Sequence, residues 1–214
     1  AADMETKSAY NITLKATDAV GLTYDEDFII NVNNVNEIPT DITLTSTSVD
    51  ENVEGAIIGV LGGVDPDAGD TATLTYSVTG ADASMFVVAG TTLSFASGHA
   101  ADMETKSAYN ITLKATDVGG LTYDEDFTIN VNNVNETPTD ITLTSTSVDE
   151  NALGANIGNI SGFDPDAGDT ATLTYSVTGV DADKFVLDVT TNTLSFASDH
   201  AADMETKSVY NITL

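Results

Sequence analysis

Apolar and polar residues alternate along most of the chain, with the period of a β-strand that is buried on one face. Between Tyr109 and Ala115 every second residue is apolar, whereas Asn110, Thr112 and Lys114 face the other way. Similar alternation, or a short apolar run, predicts seven strands at about 41–49, 56–62, 73–79, 85–89, 92–96, 108–116 and 121–132. No segment has a convincing helical period.

The segments between these strands are rich in Gly, Asp, Asn and Ser, which favour turns. Seven short strands within about 100 residues, separated by such turns, are typical of an immunoglobulin-like sandwich. The fold class predicted from the sequence is therefore all-β.

The chain repeats itself. The heptapeptide AADMETK begins at Ala1, Ala100 and Ala201, and residues 1–52 differ from residues 100–151 at only four positions. A fixed period of this length indicates a tandem array of similar domains. Such near-identity favours units with one shared role, as in a spacer.

Two Pro-containing segments, residues 33–39 and 132–138, follow the last strand of a repeat and are predicted to be linkers. Residues 1–37 would then hold the last two strands of a preceding repeat. Residues 38–136 would form one complete repeat, and residues 137–214 a following repeat without its last strand. We expect such incomplete ends to belong to a longer array or to be completed by a neighbouring chain.

The charge of the chain narrows its possible partners. It has 34 Asp and Glu but six Lys and Arg, a formal net charge of −28, which excludes nucleic acid as a partner and favours cations. It has no Cys, so disulfides cannot rigidify it. No apolar run approaches the roughly 18 residues that a membrane-spanning helix needs.

Short acidic motifs recur in a fixed order along the repeat and resemble those of the cadherin family. Listed along the chain, they are Asp-Glu-Asn at 50–52, Asp-Pro-Asp at 65–67, Asp-Met-Glu at 102–104, Ala-Thr-Asp at 115–117 and Asn-Val-Asn-Glu at 133–136. Together they span the whole repeat. More narrowly, the chain resembles the bacterial cadherin-like tandem repeats of large extracellular adhesins of the RTX and VCBS types.

The resemblance implies calcium at the junctions between repeats. Calcium takes six to eight oxygen ligands, which Asp, Glu and Asn supply. The first junction would use Asp3, Glu5, Asn36, Glu37, Asp65, Asp67 and Asp117. The second would use Glu51, Asp102, Glu104, Asn135, Glu136, Asp164 and Asp166.

Some positions depart from the cadherin pattern. Asn133 and Glu136 stand where the family has linker aspartates, and Thr137 stands where it has Asn. The loop after Asp166 is too short for the family's carbonyl ligand to be assigned. The absence of Trp argues against the tryptophan exchange by which vertebrate cadherins adhere.

Three other interpretations of the acidic residues are open. The segment DPDAGD, at 65–70 and 164–169, also resembles the start of an EF-hand or thrombospondin-type calcium loop, although no Glu stands at the twelfth position and no helix is predicted beside it. Its residues could equally be plain turn residues. Close carboxylates could in principle serve a glycosidase, but we find no catalytic motif and predict that the chain is not an enzyme.

The sequence favours a calcium-rigidified stalk or filament segment of an extracellular adhesin at the cell surface. Its partners would be neighbouring repeats of the same chain or identical chains in a fibre. The alternative is a module that binds polysaccharide or another cell-surface ligand, or that mediates homophilic cell adhesion. Sugar-binding surfaces usually need exposed aromatic rings, of which this chain has few.

Overall fold

The computed structural model describes all 214 residues, Ala1–Leu214, and divides them into two compact units, residues 1–132 and 133–214. Each unit consists of β-strands with short 3-10 turns, which confirms the all-β prediction. The 3-10 turns span Asp70–Ala72, Ala83–Met85, Asp169–Thr172 and Ala182–Lys184. No helical segment has the length and apolar character needed to cross a membrane.

Unit 1 begins with an antiparallel hairpin of β1 (Ala9–Thr17) and β2 (Thr23–Asn31). Oδ1 of Asp18 closes the turn, because it accepts the N–H groups of Val20 (3.0 Å) and Leu22 (2.8 Å). Most side chains of the hairpin are exposed.

The rest of unit 1 is a sandwich of two four-stranded sheets. One sheet has the order β3-β5-β8-β7 and the other the order β4-β10-β9-β6. All pairs are antiparallel except β4 with β10, which are parallel. The strands are β3 (Asp41–Leu44), β4 (Ser48–Asp50), β5 (Ile57–Val64), β6 (Thr75–Thr79), β7 (Phe86–Ala89), β8 (Thr92–Phe95), β9 (Ala108–Thr116) and β10 (Thr122–Asn132).

The predicted strand at 41–49 is wrong in one respect, because the chain changes sheets within it. β3 pairs with β5 in one sheet, and β4 pairs with β10 in the other. Between them, the hydroxyl of Ser46 accepts the N–H of Ser48 (3.2 Å), which turns the backbone out of the first ladder. The other six predicted strands are found within two residues of their predicted bounds.

Aromatic rings form the centre of the sandwich. Phe86 and Phe95 lie 4.7 Å apart between ring centroids, and Tyr109 meets both edge-on at 5.6 and 5.3 Å. Leu113 and Ile129 are fully buried beside them. Burying side chains of this size contributes roughly 1.5–3 kcal/mol each.

Unit 2 contains one four-stranded sheet of order β11-β12-β14-β13, which corresponds to the β3-β5-β8-β7 sheet of unit 1. Its strands are β11 (Asp140–Leu143), β12 (Asn156–Phe163), β13 (Phe185–Asp188) and β14 (Thr193–Phe196). Residues 133–214 contain no counterpart of β10. A groove of about 640 Å³ opens beside this sheet, lined by polar residues such as Glu150 and Lys207 and by apolar residues such as Val148 and Ile212.

Candidate metal centres

The loop after β5 is folded by its own hydrogen bonds. The N–H of Asp65 donates to Oγ1 of Thr71 (2.9 Å), whose hydroxyl donates to the Asp65 carbonyl (3.2 Å). Gly69 has a φ of 96°, in the left-handed region that favours glycine, and leads into the turn at Asp70. The short loop thereby brings Asp65, Asp67 and Asp70 together.

These three carboxylates are crowded. One oxygen from each of Asp65, Asp67 and Asp70 lies within 4.8 Å of the others. Asp65 is only 6% exposed; its Oδ1 accepts the N–H of Asp67 (2.8 Å), whereas its Oδ2 is buried without a hydrogen-bond partner. Burying a carboxylate oxygen without a partner is costly, and a bound cation would offset that cost.

The donor set fits calcium. Calcium–oxygen distances of about 2.3–2.6 Å allow two ligand oxygens of one ion to lie up to about 5 Å apart. Partial desolvation and repulsion from Asp65 and Asp67 raise the pKa of the Asp70 carboxyl. A bound cation would remove that repulsion.

The linker between the hairpin and the sandwich is fastened to the same loop. Nδ2 of Asn34 donates to Oδ1 of Asp67 (2.7 Å), and the N–H of Glu37 donates to Oδ2 of Asp67 (2.7 Å). Nδ2 of Asn36 donates to Oδ2 of Asp117 (2.8 Å). Two buried aspartates therefore hold the linker across the end of the sandwich.

Gly119 makes room for this linker. A Cβ atom at Gly119 would lie 2.4 Å from Oδ1 of Asn36, which is far inside contact distance. The corresponding residue of the β1–β2 hairpin is Val20, whose side chain is 82% exposed. The close approach of Asn36 therefore requires a residue without a side chain at position 119.

A second acidic group lies where the linker passes. Glu37, Glu5 and Asp67 each place a carboxylate oxygen within 4.8 Å of the others. Partial desolvation, followed by repulsion from Glu5 and Asp67, raises the pKa of the Glu37 carboxyl. Asp67 belongs to both acidic groups.

Asp3 and Asp102 have a local structural role in their turns. Oδ1 of Asp3 accepts the N–H of Thr6 (3.0 Å), and its Oδ2 accepts the Thr6 hydroxyl (2.9 Å). Asp102 binds Thr105 in the same way, at 2.8 and 2.9 Å. Asp3, which was predicted for the first junction, is not a member of either acidic group, although its charge is close enough to Glu37 to raise the pKa of that carboxyl.

The residues predicted for the second junction are divided between the two units. In unit 1, Glu51 is 1% exposed and its Oε2 accepts the N–H of Met103 (2.7 Å), whereas Asp102 and Glu104 are exposed. The N–H of Glu51 donates to the carbonyl of Asn132 (3.2 Å), at the end of β10.

Unit 2 reproduces the linker contacts. Nδ2 of Asn133 donates to Oδ1 of Asp166 (2.7 Å), and the N–H of Glu136 donates to Oδ2 of Asp166 (2.6 Å). Asn135 donates to the carbonyl of Glu136 (3.0 Å). Asp164, Asp166 and Asp169 repeat the crowded loop, and the exposed Glu150, Asp203 and Glu205 form a further group.

The sequence-based prediction missed Asp70 and Asp169, which lie in the carboxylate groups, and Asn34, which contacts Asp67. The signal was present in DPDAGD, where a third acid follows the first two at a spacing of three residues. The cadherin pattern supplies a carbonyl from a longer loop there, so the extra carboxylate had no place in the predicted set.

Comparison with known proteins supports the fold. Residues 45–132 match the cadherin domain family. The solved structures of similar fold include protocadherin gamma B2 extracellular cadherin domains 1–5, at 21% identity and a TM-score of 0.66 over 96% of this chain and 41% of that one. Mouse cadherin-23 EC22–24 matches at 20% identity and a TM-score of 0.67, over 93% of this chain and 67% of that one.

Protocadherin gamma B7 extracellular cadherin domains 1–4 match at 22% identity and a TM-score of 0.67, over 96% of this chain and 52% of that one. This chain therefore spans about half, or less, of the two protocadherin structures. At these identities the likeness concerns the fold. The chain has the β-sandwich fold of cadherins, and its residues 45–132 match the cadherin domain.

Proposed function

We propose that this chain is a segment of an extracellular adhesive stalk or filament at the cell surface, stiffened by calcium bound where a linker meets the next repeat. The observation that carries the proposal is the linker itself. Its residues Asn34, Asn36 and Glu37 are held by the buried Asp67 and Asp117, so that the Glu37 carboxylate approaches Asp67.

Electrostatics gives the ion a mechanical role at this place. Two carboxylates 4 Å apart repel by about 1 kcal/mol in water and about 4 kcal/mol at an effective dielectric constant near 20. Without a cation, Glu5 and Glu37 are therefore pushed away from Asp67. A calcium ion bound by all three carboxylates replaces their mutual repulsion with attraction to the ion, and so fixes the linker on the sandwich.

Two further observations support this role. The cadherin domain match over residues 45–132 favours an extracellular adhesion module. The near-identity of residues 1–52 and 100–151 favours a repeated spacer, which needs equal units and no distinctive binding face. The large bacterial adhesins that the sequence resembles are built from such repeats.

Small-angle scattering of the 214-residue chain, with about 10⁻³ M calcium and then with a chelator, tests the proposal. We expect one well-defined set of dimensions with calcium and a broader, flexible ensemble without it. The variant E37Q/E136Q should resemble the calcium-free protein in both conditions. D25N/D124N removes the same charge from β2 and β10 and should behave as the unmodified chain. Identical profiles with and without calcium would overturn the proposal.

A further inference from the structure

The three-carboxylate loop occurs in both units and is complete within each repeat. In unit 2 the N–H of Asp164 donates to Oγ1 of Thr170 (2.9 Å), and the N–H of Asp166 donates to Oδ1 of Asp164 (3.0 Å). Gly168 has a φ of 98° and leads into the 3-10 turn at Asp169, as Gly69 does in unit 1. The loop, whose sequence is identical at 65–71 and 164–170, therefore folds in the same way in both units.

We propose that Asp70 and Asp169 are direct calcium ligands, and that each completes a calcium site contained within a single repeat. The inference deepens the proposed function and rests on it. The loop site of unit 1 would use Asp65, Asp67 and Asp70, and it needs no residue of the linker. The loop site of unit 2 would use Asp164, Asp166 and Asp169, whose carboxylate oxygens are grouped in the same way.

The buried oxygen of Asp65 carries this inference. Asp65 is almost fully buried, its Oδ1 is occupied by the N–H of Asp67, and its Oδ2 has no partner. Proteins rarely leave a buried carboxylate oxygen unpaired, because the desolvation it suffers is not offset. A cation held between Asp65, Asp67 and Asp70 offsets that cost.

Asp70 has no other evident partner. Its carboxylate accepts no hydrogen bond in the structure, and none of the ion pairs of unit 1 involves the loop. A turn residue without a ligand role would be expected to extend into solvent, away from two other acids. Asp70 instead is half-buried and places an oxygen within 4.8 Å of those of Asp65 and Asp67.

The extra carboxylate also explains how this short loop could bind calcium without the carbonyl ligand that a longer loop supplies. Affinity for calcium rises with the number of charged ligands and with the rigidity of the site. Asp70 adds charge, and the hydrogen bonds of Thr71 and Gly69 make the loop rigid. We therefore expect the loop sites to bind calcium whether or not the neighbouring linker is docked.

Calorimetric titration of the metal-free 214-residue chain with calcium tests the inference. We expect D70N/D169N to lose two bound ions, or to bind them at least about tenfold more weakly, since affinity follows ligand charge. The single variants D70N and D169N should each affect one ion, so a folding defect in one unit leaves the other unit informative. D25N/D124N removes the same two charges outside the loops and should bind as the unmodified chain does.

The outcomes separate the inference from the proposed function. If the unmodified chain binds no calcium at about 10⁻³ M, both are overturned. If it binds calcium, and D70N/D169N binds the same number of ions with the same affinity, only the inference is overturned. E37Q/E136Q should weaken junction binding and leave the loop ions in place. Unfolding curves recorded without calcium verify that each variant is folded.

Discussion

The sandwich of unit 1 and residues 133–214 share an aromatic centre but differ in their sheets. In unit 2, Phe185 and Phe196 lie 4.7 Å apart, and Tyr210 meets them edge-on at 5.9 and 5.1 Å, much as in unit 1. The sheet β11-β12-β14-β13 is also retained. What unit 2 lacks is the second sheet.

Identical local sequence has different conformations in the two units. Tyr-Asn-Ile-Thr-Leu is part of strand β9 at 109–113, but at 210–214 its only ladder contact is a bridge between Thr213 and Thr178. The same pentapeptide at 10–14 is again a strand, because β1 pairs with β2 as β9 pairs with β10. A strand of this sequence therefore needs its hairpin partner.

The partner strand affects the acidic turn as well. In unit 1 the N–H of Glu51 donates to the carbonyl of Asn132 at the end of β10, and Glu51 is buried. In unit 2 the corresponding Glu150 is exposed. The last strand of a repeat thus completes the sandwich and also positions a predicted calcium ligand.

The largest expected effect comes from removing the contribution of β10 to the core. Ile129 is fully buried, whereas Ile30, its counterpart in β2, is 50% exposed. We expect I129A to lower the free energy of unfolding by about 2–5 kcal/mol, and I30A by less than about 1 kcal/mol. Chemical denaturation of the two variants measures both values. Equal losses would show that β10 does not organise the core.

Supplying the missing strand should make unit 2 resemble unit 1. When a copy of residues 114–132 is added after Leu214, we expect residues 209–214 to become a strand and Glu150 to become buried. Hydrogen exchange should then slow on the order of 100-fold at the amide of Ile212. A copy with Asp in place of the residue equivalent to Ile129 provides the control and should give little protection.

A smaller effect is expected where the two copies of one loop differ. G119V places a side chain against Asn36 and should destabilise linker docking by about 1–3 kcal/mol, as overpacking does. Hydrogen exchange at the amide of Glu37, which donates to Asp67, reports on docking. V20G changes an exposed residue, and its effect should stay within about 0.5 kcal/mol. Unchanged exchange in G119V would contradict the steric explanation.

The smallest effect concerns an ion pair that occurs once in each unit, Lys106 with Asp82 and Lys207 with Asp181. Hydrogen bonds from Lys106 and from the N–H of Asn110 lower the pKa of Asp82, and Lys207 does the same for Asp181. A carboxyl with a lowered folded-state pKa stabilises the fold above its unfolded pKa of about 3.9 and loses this contribution as the pH falls.

Unfolding curves of D82N and D181N between neutral pH and about pH 2 test this. The difference in stability between each variant and the unmodified chain should be constant down to about pH 5 and then shrink. A difference that is independent of pH would rule out the ion pair as its origin.

Strand periodicity identified most of the fold. The alternation in residues 108–116 predicted β9 to the residue, because one of its faces is buried and the other is only partly buried. Periodicity failed at Thr45–Thr47, where the chain moves from one sheet to the other. Apolar alternation records which face of a strand is buried but not which sheet buries it, so β3 and β4 were predicted as one strand.

The candidate sites were predicted less completely. The recurring motifs placed Glu37 and Asp67 in one site, and the structure brings their carboxylates together. Asp70 was not predicted, because its proximity depends on the left-handed Gly69 and on the hydrogen bonds of Thr71. The sequence shows the third acid of DPDAGD, but the turn that brings it close to the other two is formed only in the folded backbone.

The parallel pairing of β4 with β10 has a consequence under tension. β4 lies near the start of the repeat and β10 at its end, and the N–H of Asn130 donates to the carbonyl of Thr47 (2.8 Å) while that of Glu51 donates to the carbonyl of Asn132. A force that pulls the two ends of the repeat apart loads these hydrogen bonds in shear. They must break together and cannot unzip one by one, so each complete repeat carries a clamp against extension.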